Sequence, residues 1–475
     1  MSAAQERLVK RLTVFAALTG LVSALAFLLV ASASAGPASA TMRVSVSSSG
    51  QQADREAYAV GLSANGRLVL INSQATDLVS GDTNERWDVF VHDRSSGQTE
   101  RVSVSTGGAQ ARATRDPWGG SIAGGISANG RYVVFQSDAP NLVAGDTNRL
   151  ADVFLRDRAS GVTKRVSVAP HGQANGASGL ATISANGRYV AFESAASNLV
   201  AHDSNRIVDV FVRDLATGKT RRLSISSRGG QAGCKGWCES TQPALSADGR
   251  FVAFESSATN LVPGDTNKLA DVFVHDRRTG RTERVSVTSK GKQAGADRTN
   301  NGSNAPSISG DGRYVAFHSA DSNLVPGDTN RTFDVFVHDR KTRRTTRVSV
   351  SSAGRQANGE SVGAPSFSAD GRYVAFNSLA TNLVPGDTED NDILDVFVRD
   401  LRTGATTIAS LGAAGQHGGD SSSVSGIAFS SDDRVLAFSS FAPNFVPGDT
   451  NGTADAFLRE FKAGNSSTRV EGKQQ

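Results

Sequence analysis

The sequence predicts an all-β fold: a single seven-bladed β-propeller of four-stranded antiparallel blades, its ring closed by an N-terminal strand. Three observations predict it. One unit recurs seven times, each unit holds four short runs of β-branched and aromatic residues separated by turn signals, and no window has helical periodicity long enough for a crossover. A β-solenoid, the competing repeat fold, would have a shorter rung and no paired hairpin turns.

Residues 1–40 read as an export signal. Arg7, Lys10 and Arg11 precede an apolar stretch from Leu12 to Val30, and Ala38-Ser39-Ala40 has the small-residue pattern of a cleavage site. The apolar stretch is also long enough for an uncleaved membrane anchor. Cleavage is the preferred reading, because strand-like residues begin at Arg43 with no linker between. The expected order is thus signal 1–40, propeller 41–461 and a flexible tail 462–475. The expected location is secreted or periplasmic.

Within the repeat, Ser-Ala-Asn/Asp-Gly-Arg leads into an apolar run, as in Ser127 to Phe135 and Ser184 to Phe192. The corresponding glycines fall at 66, 130, 187, 249, 312 and 371, with Asp433 in the last place, a period of 57 to 64 residues. Next come Asn-Leu-Val-Pro-Gly-Asp-Thr-Asn, as in Asn323 to Asn330, and Asp-Val-Phe-Val-His/Arg-Asp, as in Asp334 to Asp339. A Thr-Gly turn and Arg-Val-Ser-Val close the unit. Inner strands buried on both faces account for the unbroken Tyr314 to Phe317 run. Outer strands such as Arg347 to Val350 are expected to turn Val inward and Arg and Ser to water. Blade seven lacks a clear outer strand of its own, and residues 43–46 are expected to supply it.

The Ser-Ala-Asp-Gly-Arg segments at 246–254 and 368–376 resemble the TolB-like (WD-repeat-like) β-propeller repeat, with its Asp-Gly-Lys/Arg hairpin before Ile/Val-Ala-Phe. The resemblance covers nearly all of 43–461. It implies a bacterial, often extracytoplasmic protein that serves as an interaction scaffold or as the propeller part of an enzyme. TolB itself has six blades and an N-terminal α/β domain that this sequence lacks, so its envelope role is not carried over.

Charged residues make up 20% of the chain and the hydrophobic set 38%, with 49 Gly and 12 Pro, as in a turn-rich globular protein. Beyond residue 40 the balance is 47 basic to 45 acidic side chains. No basic run carries interleaved aromatics, which argues against nucleic acid as a partner. Cys234 and Cys238, the only cysteines, are expected to form a local disulfide in an oxidising compartment.

Alternation of turns in an up-and-down blade puts the Asp-Gly-Arg and Thr-Gly turns on one face. The Pro-Gly-Asp-Thr-Asn loops and the long blade-to-blade connections lie on the other. Each connection carries a glutamine, Gln52, Gln110, Gln173, Gln231, Gln293, Gln356 and Gln416. Long loops on a rigid scaffold are the usual place for binding. The repeated Asp-x-Asn groups are the most metal-like feature, with Asp449, Asn451 and Asp455 around Gly452 as the best calcium candidate. The same residues serve equally as structural turns, and a nearby Arg149 or Lys268 would neutralise such an Asp. No other cofactor is expected.

His92, His275 and His338 share a repeat position with Arg156, Arg213 and Arg399 and read as outer-strand polar residues. No Gly-x-Ser-x-Gly elbow is present. Residues that break the repeat are better candidates for a ligand site. Trp87, Trp118 and Trp237, with Arg115, Asp116, Lys235 and Glu239 beside two of them, all fall on the long-loop face. The alternative is that each Trp pins its own loop. The expected function is a non-enzymatic extracytoplasmic scaffold, a monomer, gripping a protein or envelope glycan. The alternative is a polysaccharide lyase or hydrolase acting in the central funnel.

Overall fold

The computed structural model describes residues 41–112, 119–236, 238–295, 302–387, 393–422 and 426–461. The signal and tail assigned to 1–40 and 462–475 lie outside them. The described residues form seven four-stranded antiparallel sheets and no helix. Blade one has its inner strand at Ala57–Leu62, then Leu68–Ser73, Asp88–Asp93 and an outer strand at Gln98–Arg101. Blades two to six repeat this order over 121–165, 178–222, 240–284, 303–347 and 361–408. Blade seven takes Ala428–Phe429, Val435–Ser440 and Asp455–Glu460.

The repeated residues are chosen by backbone geometry and by contact between blades. Ser63 Oγ accepts the Leu68 amide at 2.9 Å and closes the first hairpin, with Gly66 at φ 64°. A Cβ on Gly130, at the same place in blade two, would also lie 2.1 Å from the end of the Leu68 side chain of blade one, which would have to turn aside. The apolar core divides into seven clusters, one per seam between successive blades. In six blades a Phe of the second strand stacks on a Phe of the third, as Phe135 does on Phe154 at 5.7 Å. Blade one has Ile71 opposite Phe90.

The turns fall on the two faces as the strand order requires. On the hairpin face, Arg67 reaches Asp93 at the end of the third strand (2.6 Å), and the pair recurs in blades two to six. On the long-loop face, the glutamine of the connection fastens the preceding loop in every blade but the sixth. Gln173 Nε2, for example, donates to Gly145 O and Thr147 Oγ1 at 2.8 Å.

Two expectations about the outer strand need correction. The strand ends at the Arg of Arg-Val-Ser-Val instead of beginning there. The serine does not face water: Ser349 is fully buried, and its Oγ donates to Asp334 at 2.5 Å. Burial of that aspartate, first residue of the third strand, explains the inversion. Its carboxylate also meets the Arg347 guanidinium at 3.1 Å, and Arg347 lies 3.1 Å from Asp328 in the preceding loop. Equivalent bridges join Arg101 to Asp82 and Asp88, Arg165 to Asp146 and Asp152, Arg222 to Asp203 and Asp209, and Arg284 to Asp265 and Asp271. The neutralising cation is thus the outer-strand Arg, not Arg149 or Lys268, whose backbones turn left-handed at φ 60° and 61°.

The ring closes through the N-terminal strand. Thr41–Arg43 pairs antiparallel with the last third strand, Thr41 opposite Arg459 and Arg43 opposite Phe457, and the Val44 amide continues the pairing to Ala456 O at 2.8 Å. The strand lies two residues earlier than the expected 43–46, for the same reason as in every other blade. Arg43 holds the place of Arg101, which pairs with Phe90.

Deleting residues 41–46 removes both the seventh outer strand and the Arg43 contact. The melting temperature of the whole domain should fall in one cooperative step. Replacing Arg222 by Leu leaves Asp203 and Asp209 buried without their cation, and should cost about 3–5 kcal/mol in denaturant unfolding. An effect below about 1 kcal/mol would show that the bridge is dispensable.

Candidate functional site at the channel mouth

The inner strands of blades one to six each carry an irregularity in their pairing, such as the register shift between Gly179 and Thr182, and the strand residue there is forced out of the ladder. Leu180, Gln242 and Ala305 consequently adopt left-handed φ of 39°, 51° and 50°. The amide freed by this bulge is received by the preceding blade, from the last residue but one of its second strand. Asn72 Oδ1 accepts Ala123 N (2.6 Å), Gln136 Oε1 accepts Leu180 N (2.9 Å), and Glu255 Oε2 accepts Ala305 N (3.0 Å). Glu193 Oε2 receives Gln242 N more loosely at 3.4 Å, and Ser439 Oγ receives Ala59 N across the closing seam. His318 reverses the sense, its Nδ1 donating to Gly363 O at 3.0 Å.

This position holds Asn72, Gln136, Glu193, Glu255, His318, Asn377 and Ser439 in turn, so it breaks the repeat in nearly every blade. Asn72, Asn377 and Ser439 are buried. Gln136, Glu193, Glu255 and His318, from four consecutive blades, are half-exposed. Burial pushes the Glu193 carboxyl up to about 7 against the pull of the Gln242 amide, and Glu239 and Glu255 add to the rise. Burial also lowers the His318 pKa, opposed by its bond to Gly363 and by Glu255. The ring of His318 meets Phe333 edge-on at 5.3 Å.

Below this arc runs the central channel, a cavity of about 670 Å³ formed by inner strands of all seven blades. Its lining is apolar and amide- or hydroxyl-bearing, from Val60 and Ile122 to Pro306 and Phe429, and among the described residues contains no Asp, Glu, His, Lys or Arg. Leu180 is 49% exposed and Ile122 36% exposed at its wall.

Of the residues expected to bind a ligand, Arg115, Asp116, Trp118 and Trp237 lie outside the described residues. Trp87 stacks on Tyr58 at 5.7 Å, and its backbone oxygen accepts the Ser121 amide at 2.7 Å, so it fastens the first blade to the second. The Tyr58 hydroxyl bonds Glu56, and burial with that carboxylate raises its pKa to about 12. Glu239 joins the arc through its charge on Glu193, and Lys235 is exposed on the connection before blade four. Cys234 and Cys238 are free thiols here; burial and then the hydrogen bond with Cys234 raise the Cys238 pKa. Their disulfide stays a proposal for the oxidised protein, checked by counting thiols in denatured, unreduced material.

The calcium candidate in blade seven is occupied by protein groups. Gln52 Nε2 donates to both Asp449 and Asp455 at 2.7 Å, Asn451 bonds Asp455 at 3.4 Å, Ser45 bonds Asp455 at 2.5 Å, and Arg43 lies 3.6 Å from each carboxylate. Asp455 has its pKa pushed up to about 6, mainly by burial. His92, His275 and His338 belong to third strands, not outer ones. Each is buried, with Nδ1 2.9 Å from the hydroxyl of Thr99, Thr282 or Thr345. Burial lowers all three, to about 4 for His275 and His338, as suits neutral residues with a structural bond.

The fold is that of a seven-bladed β-propeller, with this mouth at one end of its channel. No protein-family model matches the sequence, and no curated protein matches it. Among solved structures, an oligogalacturonate lyase in complex with manganese is similar at 12% identity and TM-score 0.50, over 90% of this chain and 95% of that one. The oligogalacturonate lyase of Vibrio parahaemolyticus is similar at 10% identity and TM-score 0.51, with the same coverage. TolB from Acinetobacter baumannii matches over 74% of this chain and 62% of its own, with 14% identity and TM-score 0.38. These likenesses are of fold.

Glu193 gives a pH prediction. A folded pKa near 7, above the ordinary carboxyl value, favours folding when the group is protonated, and that contribution is lost as pH rises through 7. Glu193→Gln keeps an amide acceptor, as Gln136 does one blade earlier. The variant should melt on the order of 1–2 °C above the parent at pH 8 and level with it at pH 4. A pH-independent difference would mean that the Glu193 pKa is the same in the folded and unfolded chain.

Proposed function

We propose that the protein is a non-enzymatic, extracytoplasmic binding scaffold that receives a segment of another protein at the long-loop mouth of its channel. One observation carries this reading: side chains that break the sevenfold repeat gather in consecutive blades at the mouth, above an apolar wall that exposes Leu180 and Ile122. Repetition satisfies the fold, so departures from it at an open mouth are where selection for a ligand would act. Apolar anchors beside Glu193, Glu239 and Glu255 suit a segment that pairs apolar with basic side chains. The export-like pattern of residues 1–40 supports a location outside the cytoplasm. Among the described residues the channel lining offers no ionisable group for acid–base chemistry, which weighs against a lyase working inside it.

A photo-crosslinking residue placed at Ile122 should capture a protein partner from an extracytoplasmic extract. Leu180→Arg should reduce that capture at least about tenfold, while Arg281→Ala on the opposite side leaves it unchanged. Capture unaffected by Leu180→Arg, or binding only to glycans on an array, would overturn the reading.

A further inference from the structure

Blade six departs from its six counterparts at one place. Its outer strand runs Thr406–Ile408, and Ile408 stands opposite Phe397, where Arg101 stands opposite Phe90 and Arg43 opposite Phe457. The guanidinium that bridges two carboxylates everywhere else is therefore replaced by an aliphatic side chain. Both carboxylates remain: Asp387 and Asp395 are buried, and Ser410 Oγ donates to Asp395 at 2.5 Å as the matching serines do elsewhere.

The connection changes at the same point. In other blades a bridge links the last Val or Ile of the outer segment to the glutamine, as Val46 to Gln52, Val104 to Gln110 and Val350 to Gln356. In blade six the bridge links Leu411 to His417, so His417, not the neighbouring Gln416, holds the glutamine's place. Gln416 turns instead to Asn444 O. The imidazole thereby enters the space that the arginine vacates, and donor atoms of Asp387, Asp395 and His417 lie within 4.8 Å of one another. His417 Nδ1 is buried and has no hydrogen-bond partner among the described residues.

We propose that Asp387, Asp395 and His417 form a site for a divalent transition-metal cation, at the place where an arginine stands in the other six blades. Two carboxylates and one imidazole form a mixed oxygen and nitrogen donor set suited to zinc or manganese, with the fourth position open to water. Calcium prefers six to eight oxygens, and an imidazole suits it poorly. Tetrahedral donors about 2.1 Å from a zinc ion stand about 3.4 Å apart, a modest contraction of the present group. The substitutions are paired: loss of arginine makes room beside the two carboxylates, and exchange of glutamine for histidine adds a ligand.

Zinc binding by the full chain tests this, in a host carrying Cys234→Ser and Cys238→Ser so that thiolates do not contribute. Calorimetric titration with zinc chloride should show about one ion per chain and a raised melting temperature. Ile408→Arg, which restores the arginine of the other blades, should abolish both effects while the variant melts at least as high as the metal-free host. His417→Gln, which restores the other repeat residue, should weaken binding at least about tenfold. Absence of zinc binding in the host, or equal binding in all three proteins, would overturn the proposal. So would a melting temperature that responds to protonation of His417 but not to zinc, since His417 would then be an imidazolium standing in for arginine.

Discussion

The structure rests on a buried aspartate that begins the third strand of each blade. Asp88, Asp152, Asp209, Asp271, Asp334, Asp395 and Asp455 are each within a few per cent of complete burial, where an unpaired carboxylate would be very costly. Each accepts a serine hydroxyl from the segment after the outer strand, and that serine also accepts a third-strand amide, as Ser103 does from Val89. One carboxylate thereby ties the outer edge of the blade to its centre. In six blades an arginine extends the tie to the loop on the long-loop face. Burial still pushes Asp88 and Asp265 up to about 6, so these contacts offset desolvation without abolishing it. Such a network specifies an arrangement more than it adds stability.

Contacts between blades work differently around the channel. Apolar seams carry the bulk of the packing, but the inner strands could not bulge without a partner for the amide that leaves the ladder. At five seams that partner is a side chain from the neighbouring blade, and amide, carboxylate and hydroxyl acceptors all serve. Tolerance of several residue types at a position facing an open mouth lets the mouth vary in charge and shape while the ring stays intact. The mouth is acidic at blades three and four and aromatic at blade five, through His318 and Phe333.

The blades, their turns and the closing strand were legible in the sequence because each depends on local patterning. Gly66 and its counterparts and the spacing of the units needed no tertiary information. Directions of side chains at the outer edge were less legible. Alternation placed Ser349 toward water, whereas a hydrogen bond to a buried carboxylate fifteen residues earlier turns it inward. Attention to tryptophan and to Asp-x-Asn loops passed over Glu193, Glu255 and His318, although their place before the last serine of a constant Tyr/Phe-Val-Ala-Phe run changes from blade to blade. Likewise, Gln416 fits the repeat by letter, but strand register shows His417 in its place. Only pairing across the sheet could reveal that shift.

The closing strand also constrains how the chain is made. Thr41 meets Arg459 across 418 residues, so the first strand of the propeller to leave the ribosome is matched only by the last. During synthesis its backbone groups have no sheet to join, and the inner strand of blade one lacks the seventh blade that will cover it. A nascent chain therefore carries an open edge at each end of a growing arc, the kind of surface that invites pairing with other chains. Completion of the last third strand removes both edges together, so the ring passes from vulnerable to sealed in a single event.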